Sequence, residues 1–150
     1  MTVRVFEGLV LAAALAFAAP AAALAADACP RIEVAAVAPS GGAARTVAGA
    51  DGKPTPLGRP IATLADITSA IATRRLDGSD GVGFNLRPPA GARLRAFTAA
   101  RIGKPMAVVV DDRAHVFTVR EAISDAFWLS PMDAGEARIL AGRVNNCVTP

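Results

Sequence analysis

Residues Ala90 to Asp112 read AGARLRAFTAARIGKPMAVVVDD, and the two halves of this stretch obey different patterns. In the first half, Leu94, Phe97 and Ile102 fall near one helical face, with arginines 93, 95 and 101 mostly around it. Pro88 and Pro89 end the segment before it, and a proline in a first helical turn loses nothing, because that amide has no helical partner. Gly103 supplies a stop and Lys104-Pro105 bars continuation, so a helix is expected from Pro89 or Ala90 to Ile102. The second half, Met106 to Val110, is an unbroken apolar run that reads as a central strand.

Working outward, Asp111-Asp112-Arg113 is a turn, and Ala114 to Val119 returns as the second arm of a hairpin. Ala126 to Leu129 is a further short strand. Ser130-Pro131-Met132-Asp133 then offers an N-cap, a first-turn proline and an acid for a last helix. That helix runs to about Val144, with Ala137, Leu140, Ala141 and Val144 on one face. Towards the N-terminus, Ser69 to Arg75 and Val82 to Leu86 flank the dense turn signal LDGSDG and read as a hairpin. Ile61 to Leu64 is a short extended piece, and Arg31 to Ala38 reads as a strand. Residues 39–60, rich in Gly, Pro and Ala without an apolar period, read as a surface loop. The expected fold is α+β: a mainly antiparallel sheet with two helices packed on one face.

The first residues are of another kind. Leu9 to Ala19 has no polar side chain, Pro20 breaks the run, and Ala23-Leu24-Ala25 offers two small residues to a signal peptidase. Residues 1–25 therefore read as a cleaved secretory signal, and residues 26–150 as one domain. About 11 apolar residues fall short of the ~20 needed for a membrane anchor. A lipid anchor on Cys29 would need an aliphatic residue where Ala26 stands, and lacks it. The alanine-rich leader inflates the 53% hydrophobic content, and no later segment approaches a membrane span. The net charge of +3 is spread along the chain, without the basic stripe or interleaved aromatics of a nucleic-acid binder.

The two cysteines, Cys29 and Cys147, stand near the two ends of the exported domain. Their isolation suits a disulfide better than a metal site, which would want clustered ligands. A bridge closing roughly 117 intervening residues is valued by chain entropy at about 4–5 kcal/mol.

The chain resembles the head subdomain of the large periplasmic domain of SecD, between Ala65 and Val144. The resemblance runs through ADITSA, VGFNL, the Ala90–Asp112 stretch and SPMDAGEARILAGRV. Thr98 and Gly103-Lys104 match its helix end, Ala107 and Asp111 its strand, and Glu136-Ala137, Leu140 and Ala141 its last helix. The chain departs from the pattern at Asp112, where a glycine is usual, and at Val116-Phe117 and Phe127-Trp128, where proline and glycines are usual. SecD also carries transmembrane helices that use a proton gradient, so its energy-coupled part does not transfer. What the resemblance implies is a surface that touches unfolded or emerging polypeptide.

Residues with catalytic potential read blandly. His115, the sole histidine, lies in a strand just after a turn, with no nearby serine or cysteine to complete a triad signature. Asp111-Asp112 reads as a turn rather than a carboxylate pair. Gly78, Gly81 and Gly83 lack the helix that a phosphate-binding loop needs, and Gly103-Lys104 lacks the upstream glycine of a P-loop. Adjacent strand residues point to opposite faces, so one of Phe127 and Trp128 is expected outside the core as a partner contact. The expected function is non-enzymatic and cofactor-free: a periplasmic module that binds protein or unfolded polypeptide, with the Sec machinery as the partner the resemblance implies. The competing expectation is a partner of another envelope protein with no role in export.

Overall fold

The computed structural model describes residues 28–39 and 41–148, so the expected leader, residues 1–25, lies outside the described residues. Strand β1 (Ile32–Val37) pairs antiparallel with β3 (Pro54–Thr63) on one side and with β6 (Pro105–Val110) on the other. From β3 the ladder continues to β2 (Arg45–Gly49), and from β6 to β7 (Arg113–Thr118) through the two-residue Asp111-Asp112 turn. A short parallel contact, Ala48 with Arg113 and Gly49 with Ala114, joins β2 to β7 and closes the five strands into a barrel. Strands β4 (Ile67–Arg74), β5 (Asp80–Leu86) and β8 (Ala126–Leu129) form a separate antiparallel sheet with β5 in the middle. Helix α1 (Pro88–Ala99) lies against β3, and α2 (Ala134–Cys147) packs on β4 and β5.

The class is α+β and mainly antiparallel, but the strands divide between two sheets and each helix takes a different one. Alternation along β1 and β6 explains the division. Ile32, Val34, Met106 and Val108 point into the main core with Phe84, Phe127 and the inner stripe of α2. Ala35, Ala107 and Val109 point the other way, into the barrel, with Leu57 and Ala114. A strand buried on both faces has no polar side, which is why Met106 to Val110 shows none.

Residues 39–60 are not a surface loop: they hold β2 and most of β3. Pro54, Pro56 and Pro60 stand inside β3, where proline removes a ladder donor. The strand accommodates Pro60 at an irregular stretch, because its register against β1 slips on both sides of the Ala35–Pro60 pair.

Helix α1 stops at Ala99, earlier than expected. Thr98 is fully buried; its hydroxyl donates to the Leu94 carbonyl (2.8 Å) and accepts the Ile123 amide (2.8 Å). Gly103 turns the chain at φ 80°, and Ile102 beyond the last turn is 59% exposed rather than on the buried stripe. The cap of α2 is Asp133, whose carboxylate accepts from the Gly135 and Glu136 amides, and not Ser130. The Met132 amide donates to the Asp80 carbonyl, so the chain beyond β8 is still tied to the start of β5 and the helix begins only after that tie. The expected inner stripe of Ala137, Leu140, Ala141 and Val144 is buried.

Candidate functional site

In β8 the side chains alternate: Phe127 is 5% exposed and Trp128 is 44% exposed. The register fixes their neighbours. Phe127 lies opposite Phe84, which lies opposite Ala70, and the two rings stack with centroids 4.9 Å apart beneath α2. One residue along, Trp128 lies opposite Gly83, which lies opposite Ile71, itself 59% exposed. The outward member of the aromatic pair is therefore Trp128.

Glycine on β5 decides how the indole sits. A Cβ on Gly83 would stand 2.6 Å from two carbons of the Trp128 ring, so the ring lies directly on the Gly83 backbone. Gly81, two residues back on the same face, would press a Cβ to 2.4 Å from the Leu129 carbonyl oxygen. The glycines at 81 and 83 thus leave the first part of the middle strand without outward side chains and let β8 and its indole settle close. The result is a shallow apolar centre, Trp128 over Gly83 beside Ile71, with a polar border where Asn85 donates to the Ser69 hydroxyl (2.9 Å). An apolar centre with a polar border is the usual make-up of a protein-contact patch.

The two edges of this sheet differ. On β4, Asn145 of α2 takes both backbone groups of Ala70: its Oδ1 accepts the amide and its Nδ2 donates to the carbonyl, each at 2.8 Å. That side-chain amide occupies an edge position another strand would use. The opposite edge is β8, the strand that carries Trp128.

The remaining sequence candidates lie elsewhere. Cys29 and Cys147 are joined by a disulfide, with Cα atoms 5.6 Å apart, tying the chain before β1 to the end of α2. One turn earlier on α2, Arg143 donates to both carboxylate oxygens of Asp111 (3.0 and 3.2 Å) and to the Ala28 carbonyl. Hydrogen bonding from Arg143 holds the Asp111 carboxyl below its ordinary range, against a smaller opposing effect of burial. Asp111 also accepts the Arg31 amide, so it is a structural tie at a turn with φ 53°. His115 lines a cleft between β7 and α2 with Glu136, Met132 and Ile139. Burial, helped by Arg113, lowers its pKa below 6.5, while Glu136 acts weakly in the other direction. The residues lining that cleft include no serine, threonine or cysteine. Gly78 turns the β4–β5 hairpin, and Gly103-Lys104 the end of α1.

Sequence reasoning missed Ile71, Gly83 and Asn145. The glycines at 81 and 83 were a signal for the first two, since alternate glycines in a strand leave one face without side chains. Nothing in the sequence marks Asn145, whose partner Ala70 is 75 residues away.

No protein-family model matches the chain, and no curated protein matches it. Solved structures do. The fold is similar to SecDF, a membrane component that enhances protein export, with TM-score 0.64 and 20% identity over 80% of this chain and 64% of that one. It is similar to SecDF in a super-membrane-facing form, with TM-score 0.63 and 20% identity over 77% of this chain and 18% of that one. SecDF of Thermus thermophilus, a translocon-associated membrane protein, gives TM-score 0.53 and 22% identity over 80% of this chain and 20% of that one. The chain thus spans under two-thirds of the first of these and about a fifth of the others. Among its described residues no helix is long and apolar enough to cross a membrane.

Proposed function

We propose that this domain, which shares its fold with part of SecDF, is a non-enzymatic polypeptide-binding module that works in the periplasm and uses the outer face of the β4–β5–β8 sheet. The observation that carries the reading is Trp128: a large aromatic left 44% exposed over a glycine, beside an exposed Ile71. Aromatic side chains are enriched among the residues that dominate binding energy at protein interfaces. A short edge strand next to that ring suits an extended chain, whose backbone can add to the sheet while its side chains meet the indole. The periplasmic setting is supported by the SecDF-like fold and by the Cys29–Cys147 disulfide, a bond that persists in oxidising compartments. The non-enzymatic reading rests on His115, whose cleft is lined by no serine, threonine or cysteine to complete a triad. Partnership with the Sec machinery is the narrowest form of the proposal and rests on the fold alone.

A second reading has its own observation. Covering Gly83 is a structural use of Trp128, because a cross-strand aromatic shields a strand glycine from water. In-cell photocrosslinking separates the two. A crosslinker at position 128 should capture newly exported chains or a translocon subunit, and one at Val116 on the barrel should not. Equal capture at both positions, or none at 128, rejects the polypeptide-binding proposal and leaves the shielding role.

A further inference from the structure

We propose that the cleft between α1 and the end of β3 is a docking groove for an acidic peptide segment of a partner protein, in which carboxylates flank a bulky apolar side chain. The cleft has a volume of about 790 Å³, within the roughly 300–1,000 Å³ usual for binding sites. It is lined by Pro60, Ile61 and Phe97 together with Arg93, Arg101 and Lys104. Ile61 and Phe97 are half-buried with their inner sides against the main core, so this part of the lining is anchored. The Arg101 guanidinium carbon lies 4.4 Å from the centre of the Phe97 ring, which holds a charge over the apolar surface.

The charge balance selects the sign of the ligand. From Gly81 to Val110 the chain carries Arg87, Arg93, Arg95, Arg101 and Lys104, and no aspartate or glutamate. Arg93 is paired with Asp66 at 2.8 Å. Neither Arg101 nor Lys104 makes an ion pair among the described residues. Two uncompensated cations beside an apolar lining complement carboxylates next to an apolar side chain. Size favours a peptide over a membrane, because an open cleft of about 790 Å³ takes one or two projecting side chains. This groove lies on other elements than Trp128 and does not rest on the reading of the outer sheet face.

The test is fluorescence anisotropy on the purified protein with a labelled hexapeptide, Leu-Phe flanked on each side by two acidic residues. The acidic peptide should bind, more weakly as salt is raised, and the same centre flanked by lysines should not. Combining Arg101→Glu with Lys104→Glu should weaken binding by roughly tenfold or more. Lys104 is exposed whereas Arg101 is half-buried on the Phe97 ring, so Lys104→Glu alone should leave the thermal midpoint unchanged and still weaken binding of the acidic peptide. Trp128→Ala should leave this binding unchanged, which separates its failure from failure of the sheet-face proposal. Equal binding of both peptides, or an unchanged affinity in the double variant, would overturn the groove. So would binding of phosphatidylglycerol vesicles or a single-stranded oligonucleotide, reduced by the double variant, with no binding of the acidic peptide.

Discussion

On one face of the β4–β5–β8 sheet, Ala70, Phe84 and Phe127 form a row under α2; one residue along, Ile71, Gly83 and Trp128 form a row on the other face. The strands are shared and the backbone is continuous, yet one row is core and the other is surface. Strand periodicity makes the two rows inevitable, and the partner of each decides its role. The inner row has a helix, held at its end by a disulfide. The outer row has glycines in the middle, an indole lying on them and no covering element among the described residues. Identical neighbours in sequence can therefore differ in what their loss would do.

The largest contrast should come from truncating the two aromatics in turn. Phe127→Ala removes a buried ring and its stacking on Phe84, and should cost about 3–5 kcal/mol by chemical denaturation. Trp128→Ala should cost about 1 kcal/mol, the scale of a cross-strand pair, while lowering affinity for polypeptide by roughly tenfold. Equal destabilisation by the two would erase the distinction between the faces.

Next in size is the bond that fixes the helix over the inner row. Replacing Cys29 and Cys147 together by Ser should lower stability by about 2–5 kcal/mol, seen as a fall in thermal midpoint. Trp128 emission in the folded state should stay where it was, because the outer row does not depend on α2. A shift of emission without a fall in midpoint would show that the faces are coupled.

Gly83→Ala probes the outer row alone. The new methyl would sit within 2.6 Å of the indole as it stands, so the ring must swing off the sheet. We expect a loss of about 1–2 kcal/mol, in the range of an overpacked site, with a changed Trp128 spectrum. An unaltered spectrum would mean that the ring does not lie where the account puts it.

The smallest effect concerns pH and should act on the helix side. Burial holds the His115 pKa below 6.5 in the folded protein, so the unfolded chain binds the proton more readily. Stability should therefore fall as pH drops through 6.5 towards the lower folded value, and His115→Gln should flatten that window. Asp111, lowered by Arg143, adds a separate loss only in the acid range below ordinary carboxylate values. A slope that survives His115→Gln would assign the titration to another group.

Much of this contrast was legible in the sequence. Local pattern sufficed for the β4–β5 and β6–β7 hairpins, for β8 and for the stripe of α2, because neighbours in sequence are neighbours in space there. It failed at β2 and β3, where prolines tolerated at an irregular ladder carry the signature of a loop. It was silent on the barrel, whose closure through β1–β6 and β2–β7 joins segments far apart in the chain. Alternation showed that one of Phe127 and Trp128 faces outward. Which one depended on register against Phe84 and Gly83, a property of two strands that no single segment states.

Trp128 is the sole tryptophan of the chain, and the chain has no tyrosine, so its emission reports on one place. The central claim is that polypeptide docks on the outer face of the sheet, and the direct measurement is that emission during titration with a tryptophan-free unfolded polypeptide. A saturable blue shift is expected as the indole loses water, with the same midpoint as binding followed on a labelled client. Binding of the client with the Trp128 spectrum unmoved, or no binding at all, would contradict it.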